Sequence, residues 1–199
     1  MVQSCPPRRL ALFVAFIALF CTQGFALTNP LPNSTYTVSN LSGGLMWDDY
    51  ANSAQNGALV DLWTPNAGTN QNWIFTALGN GYYEIASVKS GMALNDPAFS
   101  QTTGTQLIQW PYGSGSANVE WQITPSRHGY IITNAASGLA VDANGNTKGA
   151  YIDQNTSNGS SSQVWTMQAP PPVATGTYTV TNGSSGLAGD DWQQSTSRI

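Results

Sequence analysis

From residue 34 to residue 168 the apolar positions come in short runs, such as Tyr36-Thr37-Val38, Trp73-Ile74-Phe75, Tyr82-Tyr83-Glu84-Ile85 and Tyr130-Ile131-Ile132. Clusters of Gly, Asn, Ser and Thr separate them. Runs of this length, rich in Val, Ile, Tyr and Trp and bounded by turn-forming residues, predict brief β-strands joined by turns. No stretch beyond residue 26 keeps a helical period over about 11 residues. The expected class is all-β.

The pattern also repeats. A first unit runs from Gly44-Leu45-Met46-Trp47-Asp48 through Gly57-Ala58-Leu59-Val60-Asp61-Leu62-Trp63 to Asn70-Gln71-Asn72-Trp73. A second runs from Gly91-Met92-Ala93-Leu94-Asn95 through Gly104-Thr105-Gln106-Leu107-Ile108-Gln109-Trp110 to Asn118-Val119-Glu120-Trp121. A third runs from Gly138-Leu139-Ala140-Val141-Asp142 through Gly149-Ala150-Tyr151-Ile152-Asp153-Gln154-Asn155 to Gln163-Val164-Trp165. Asp48, Asn95 and Asp142 are spaced by 47 and 47 residues, and Trp73, Trp121 and Trp165 by 48 and 44. One such unit cannot cover its own apolar face, so the three are expected to share a core. Trp73, Trp121 and Trp165, at a repeated strand position, are expected inside it. Trp63 and Trp110 end strands ahead of Pro65 and Pro111, and are the candidates for exposed rings.

Three units of about 45 residues, each closing on Gln-x-Trp or a relic of it (Gln71-Asn72-Trp73, Val119-Glu120-Trp121, Gln163-Val164-Trp165), resemble the ricin-type lectin family. The resemblance implies a β-trefoil of three repeats and one shallow sugar site per unit. It assigns Asp48 as acceptor for sugar hydroxyls, Trp63 as stacking platform, Asn70 as polar partner and Gln71 as the residue that orients the site from behind. Asp61 stands where many members carry Gln, which keeps an acceptor and loses a donor. In the second unit Trp110 and Asn118 match, but Asn95, Ile108 and Val119 replace the usual polar residues, so that site is expected to be impaired. In the third, Asp142, Asp153 and Gln163 match as a secondary site. Asn155 replaces the aromatic platform there, and Tyr151 is a possible substitute although its alternation points it inward. The chemistry agrees with the resemblance: a sugar offers a C–H face to an aromatic ring and a rim of hydroxyls to carboxylates and amides.

The flanks differ in composition. Residues 1–26 carry Arg8 and Arg9, an 11-residue apolar run from Leu10 to Phe20, and small residues at Gly24 and Ala26. They read as a secretory signal peptide, because the run falls well short of the roughly 20 residues a membrane-spanning helix needs. Secretion, with no membrane attachment after cleavage before Leu27, is therefore expected. Both cysteines, Cys5 and Cys21, lie in this segment, so residues 27–168, the expected trefoil domain, hold no disulfide. Residues 169–176 are a proline-rich linker. Residues 177–199 restart the pattern of the first unit, with Tyr178-Thr179-Val180 and Gly186-Leu187-Ala188-Gly189-Asp190, and read as the incomplete start of a second trefoil.

Charge narrows the partners. Without Arg8 and Arg9, four Lys/Arg face ten Asp/Glu, and such a balance disfavours nucleic acid, which calls for a basic surface. The expected partner is a carbohydrate, a polysaccharide or the glycans of a glycoprotein, bound by a monomer without any cofactor. A single histidine, His128, excludes a multi-His metal site, and no Gly-x-Ser-x-Gly elbow or cysteine nucleophile is present beyond residue 26. Glu84 and Glu120 are the only glutamates and sit at strand positions, so catalysis by paired carboxyls is not expected. The domain could instead serve as a binding module of a longer hydrolase. The competing class is a trefoil that contacts or inhibits another protein through an exposed loop, without binding sugar.

Overall fold

The computed structural model describes Pro30, residues 32–41 and residues 43–169. The expected signal segment, residues 170–176 of the linker and the second copy lie outside the described residues. The short runs form β1 (Ser34–Asn40), β2 (Met46–Asp49), β3 (Val60–Trp63), β4 (Trp73–Ala77), β5 (Tyr82–Ser87), β6 (Ala93–Asn95), β7 (Thr105–Gln106), β8 (Ile108–Trp110), β9 (Trp121–Pro125), β10 (Tyr130–Asn134), β11 (Ala140–Ala143), β12 (Ile152–Asn155) and β13 (Trp165–Gln168). Helical structure among the described residues is limited to 3-10 turns of three residues.

Pairing closes a ring. β1 pairs with β4, β4 with β5, β5 with β9, β9 with β10, β10 with β13 and β13 again with β1, all antiparallel. A cycle of this kind is a six-stranded barrel with no free edge. The other strands form the hairpins β2–β3, β6–β8 and β11–β12, one per unit. The hairpins touch one another through the β12–β7 pairing and through bridges from Leu59 to Ile108 and from Asp61 to Tyr151. This is the β-trefoil that the family resemblance implies.

The recurring tryptophans explain why each hairpin sits where it does. Trp73, Trp121 and Trp165 open the last strand of their units and are fully buried. Each indole Nε1–H donates to a backbone carbonyl on the second strand of its own unit: Trp73 to Trp47 (3.4 Å), Trp121 to Leu94 (3.0 Å) and Trp165 to Val141 (3.0 Å). Most buried indoles find such a partner, and here the acceptor residue immediately precedes Asp48, Asn95 or Asp142. The core therefore sets the position of each site residue. Trp47, also buried, packs edge-on against Trp73 and Trp165 with ring centroids 5.8 and 5.2 Å away.

Buried polar side chains stitch successive units together. Between the first and second, Ser87 Oγ donates to Asp49 Oδ2 at 2.6 Å. Between the second and third, Gln154 Nε2 donates to Asp96 Oδ1 at 3.0 Å, while within the third unit Gln154 Oε1 accepts from Ser137 Oγ at 2.8 Å.

Candidate functional site

The first unit brings four of its predicted residues to one place. In the β2–β3 ladder Asp48 stands directly opposite Asp61, and period-two alternation sends the Asp61 and Trp63 side chains to the same face. A 3-10 turn, Thr69–Gln71, follows the loop after β3, and both Asn70 and Gln71 are buried in it. Asp48, Asp61, Trp63 and Asn70 line a pocket of about 540 Å³. Asn70 Nδ2 donates to Asp48 Oδ1 at 2.6 Å, with the Asn66 amide on the same oxygen at 3.5 Å. Gln71 lies behind the pocket wall: its Oε1 accepts from the Asn66 N–H at 2.8 Å and its Nε2 donates to the Thr64 carbonyl at 3.0 Å.

Burial sets the electrostatics. It raises the Asp48 carboxyl above its ordinary 3.8, opposed by hydrogen bonds from Gln71, Asn70 and Asn66. It pushes Asp61 up to about 6, with the charge of Asp48 adding to the effect and a bond from its own N–H opposing it. Asp61 is only 1% exposed and its Oδ1 has no hydrogen-bond partner. An acceptor withdrawn from water and left unpaired is costly, and this one belongs to a pocket-lining residue.

The wall contains more than the first unit. Tyr50, 42% exposed, follows β2 directly, and its ring meets that of Tyr151 from the third unit with centroids 5.9 Å apart. Tyr151 thus lines the first-unit pocket. This corrects the expectation that it would serve, if at all, as the third unit's platform. The reason is the bridge between Asp61 and Tyr151, which seats the residue before β12 against β3. The preceding loop is anchored there too, since Leu62 N–H donates to the Ala150 carbonyl at 2.8 Å and Gly149 N–H to the Leu62 carbonyl at 2.7 Å. Lys148, on that loop, holds its Nζ 3.9 Å from the centroid of the Trp63 ring.

Tyr50, Asn66 and Lys148 carry no mark in the motif. Asn66 has a signal nonetheless: Thr64-Pro65-Asn66-Ala67 matches Thr156-Ser157-Asn158-Gly159 at the same place in the third unit. The two loops fold alike. Asn66 Oδ1 accepts from Gly68 N–H at 2.7 Å and Asn158 Oδ1 from Ser160 N–H at 2.8 Å.

The second unit builds a different pocket, of about 290 Å³, lined by Asn95, Phe99, Ile108, Trp110 and Asn118 among others. Trp110 is 45% exposed and Phe99 51%. Asn118 Nδ2 donates to the Asp96 carbonyl at 3.1 Å. No carboxylate lines this pocket, in keeping with the substitutions at Asn95 and Ile108. In the third unit Asp142 stands opposite Asp153, as Asp48 does opposite Asp61. Gln163 Nε2 donates to Asp142 Oδ2 at 3.0 Å, and Asn155 Nδ2 donates to Asp153 Oδ1 at 3.1 Å. Asn155 thereby uses up an acceptor where the first unit presents a ring. Burial, with the charge of Asp142 adding to it, raises Asp153 to about 6.

Of the three arrangements, the first joins carboxyl acceptors, an amide and aromatic rings around one open space. That set can hydrogen-bond a rim of hydroxyls while a ring takes an apolar face. Among the described residues no group of His, Cys, Asp and Glu is arranged to hold a metal ion.

The family model described as ricin-type beta-trefoil lectin domain-like matches residues 22–110 and 117–198. Among solved structures, the designed three-fold symmetric protein ThreeFoil is 30% identical, with a TM-score of 0.65 over 67% of this chain and 96% of its own. The exo-β-1,3-galactanase 1,3Gal43A of Clostridium thermocellum is also 30% identical, with a TM-score of 0.66 over 69% of this chain, which spans 30% of the galactanase. The Macrolepiota procera ricin B-like lectin, solved with lactose, shares the fold at 21% identity and a TM-score of 0.63, over 72% of this chain and all of that one. No curated protein sequence matches the chain.

Proposed function

The chain belongs to the ricin-type β-trefoil lectin-like family, and from that premise we propose that it binds carbohydrate without catalysis, through the first-unit pocket. The observation that carries the reading is the convergence of Asp48, Asp61, Asn70 and Trp63 on one pocket, with Asp48 already held by Asn70 at 2.6 Å. Preorganised acceptors beside a ring bind a sugar without first ordering themselves. The lactose bound by the Macrolepiota lectin and the galactan chemistry of the Clostridium enzyme are compatible with this ligand class. The non-catalytic part rests on the pairing of Asp48 with Asp61 across one ladder. They share a wall instead of facing each other over a cleft, as the carboxyls of a glycosidase do.

In this reading the protein works outside the cell as a monomer after loss of residues 1–26. The third-unit pair Asp142 and Asp153 is a weaker second site, and the Trp110 pocket contributes little. Several weak sites raise avidity on a polysaccharide or on clustered glycans.

The test is a glycan and polysaccharide binding screen of the full chain beside its Trp63→Ala variant, with circular dichroism on both. Binding by the parent that weakens about tenfold or more in a folded Trp63→Ala is the expected result. A folded parent that binds no sugar overturns the proposal.

A further inference from the structure

We propose that the first-unit pocket is shaped for a sugar bearing a free ammonium group, an amino sugar of the glucosamine type, an inference that rests on this pocket being the carbohydrate site. Three rings, Tyr50, Trp63 and Tyr151, and two carboxyl groups, Asp48 and Asp61, line the same space. A neutral sugar uses one ring for its C–H face and one carboxylate for its hydroxyls. The second carboxyl and the two further rings exceed that need. A cation uses them, because aromatic faces attract it and carboxylates neutralise it.

Two further observations point to a positive charge. Asp48 and Asp61 stand opposite each other in one ladder, and the charge of Asp48 adds to the rise that burial gives Asp61. An ammonium brings three N–H donors and a positive charge and no acceptor, so it relieves the repulsion between the two carboxyls where a neutral hydroxyl does not. The molecule also supplies its own cation: Lys148 Nζ lies 3.9 Å from the Trp63 ring centroid. Lys148 is exposed, on a loop held to β3 by the 2.7 Å bond from Gly149 N–H to the Leu62 carbonyl. It acts as a tethered stand-in whose ammonium an incoming amino sugar displaces. The chain's net charge of −4 favours approach of an amino polysaccharide, which carries many such groups.

Isothermal titration of the full chain with glucosamine and its β-1,4-linked oligomers, their N-acetylated counterparts, lactose and glucuronic acid tests the inference. The free amines are expected to bind about tenfold more tightly than the acetylated or neutral sugars. Lys148→Met is expected to tighten amine binding by about two- to fivefold, since it removes the competing cation. Asp61→Asn is expected to cut the preference to about twofold or less. Lys148→Met alters an exposed side chain and stands as a test even where Asp61→Asn disturbs folding. Neutral and amine sugars binding alike, with sensitivity to Trp63→Ala, overturns the inference and leaves the sugar site in place. A preference for glucuronic acid that Lys148→Met abolishes also overturns it, because Lys148 then grips an anion. Binding of none of these sugars overturns both readings.

Discussion

Ser87 donates its hydroxyl hydrogen to Asp49 Oδ2 at 2.6 Å across the joint between the first two units, while the other carboxyl oxygen, Oδ1, is buried with no partner. Asp49 has no exposed surface. A carboxylate so placed is disfavoured in its charged form. Burial drives Asp49 up to about 7, against the bond from Ser87. Burial likewise lifts Asp61, Asp96 and Asp153 to about 6.

These four groups give stability a definite pH dependence. Their carboxyls ordinarily titrate near 3.8 and are raised in the folded chain. From about pH 4 to pH 7 the folded state therefore holds protons that the unfolded state has released, and stability falls as pH rises through that window. Urea unfolding is expected to show a higher midpoint at pH 4.5 than at pH 7.5. Asp49→Asn should raise the midpoint at pH 7.5 and flatten the dependence. A midpoint that climbs from pH 4.5 to pH 7.5 would mean that these carboxyls fold in their charged form.

The two glutamines of the closing motif should differ in what they control. Gln163 Oε1 accepts from Asn158 N–H at 2.8 Å and its Nε2 donates to the Thr156 carbonyl at 3.0 Å, the same pattern and distances that Gln71 makes with Asn66 and Thr64. Replacing either by Ala leaves buried loop groups unpaired and should cost about 2 kcal/mol in denaturant unfolding. Gln71→Ala should also weaken sugar binding severalfold, since Asn66 and Asp48 lose their support, whereas Gln163→Ala should leave affinity at the first pocket within about twofold. Equal binding losses in both would place the principal site elsewhere.

The buried indoles allow core and site to be separated in the same way. Trp121→Phe removes the 3.0 Å bond to the Leu94 carbonyl and leaves unfilled volume, at a cost of about 2–4 kcal/mol. Trp73→Phe should cost a similar amount and in addition lower affinity, because the carbonyl it releases belongs to Trp47, next to Asp48. Calorimetric unfolding alongside sugar titration checks both. Full affinity in a folded Trp73→Phe would show that Asp48 is positioned without the indole.

Three β units around a shared core were legible because their determinants are local and repeated, and the family resemblance turned them into a trefoil. A tryptophan every 44–48 residues marks the strand that buries it, and Gly, Asn and Ser clusters mark the turns. The meeting of Asp48, Trp63 and Asn70 was legible through the family resemblance, which carries over because ladder and loop belong to one unit. Tyr151 and Lys148 were not, because the third unit carries them and only its contacts with β3, the bridge to Asp61 and the bonds to Leu62, bring them to the first. Spacing within a repeat holds no record of contact between repeats. Tyr50 bears no sequence signal for another reason: it lines the pocket from a segment whose backbone departs from ordinary geometry.

That segment carries the last prediction. Ala51 (φ +53°) and Asn52 (φ +56°) both occupy the left-handed region, and Ala98 (φ +55°) and Phe99 (φ +55°) do the same at the equivalent place in the second unit. Each L-residue so held costs on the order of 1 kcal/mol, which glycine avoids while losing more entropy on folding. Ala98→Gly is therefore expected to stabilise the fold by about 0.5 kcal/mol and to leave the first pocket alone. Ala51→Gly should stabilise by a similar amount but weaken sugar binding severalfold, because Ala51 lies between Tyr50 and Asn52 in the pocket wall and a freer backbone lets the tyrosine wander. Thermal unfolding and titration of the two variants decide it. If both gain stability and neither loses affinity, the strain at Ala51 serves the turn alone and the Tyr50 side of the pocket takes no part in holding the ligand.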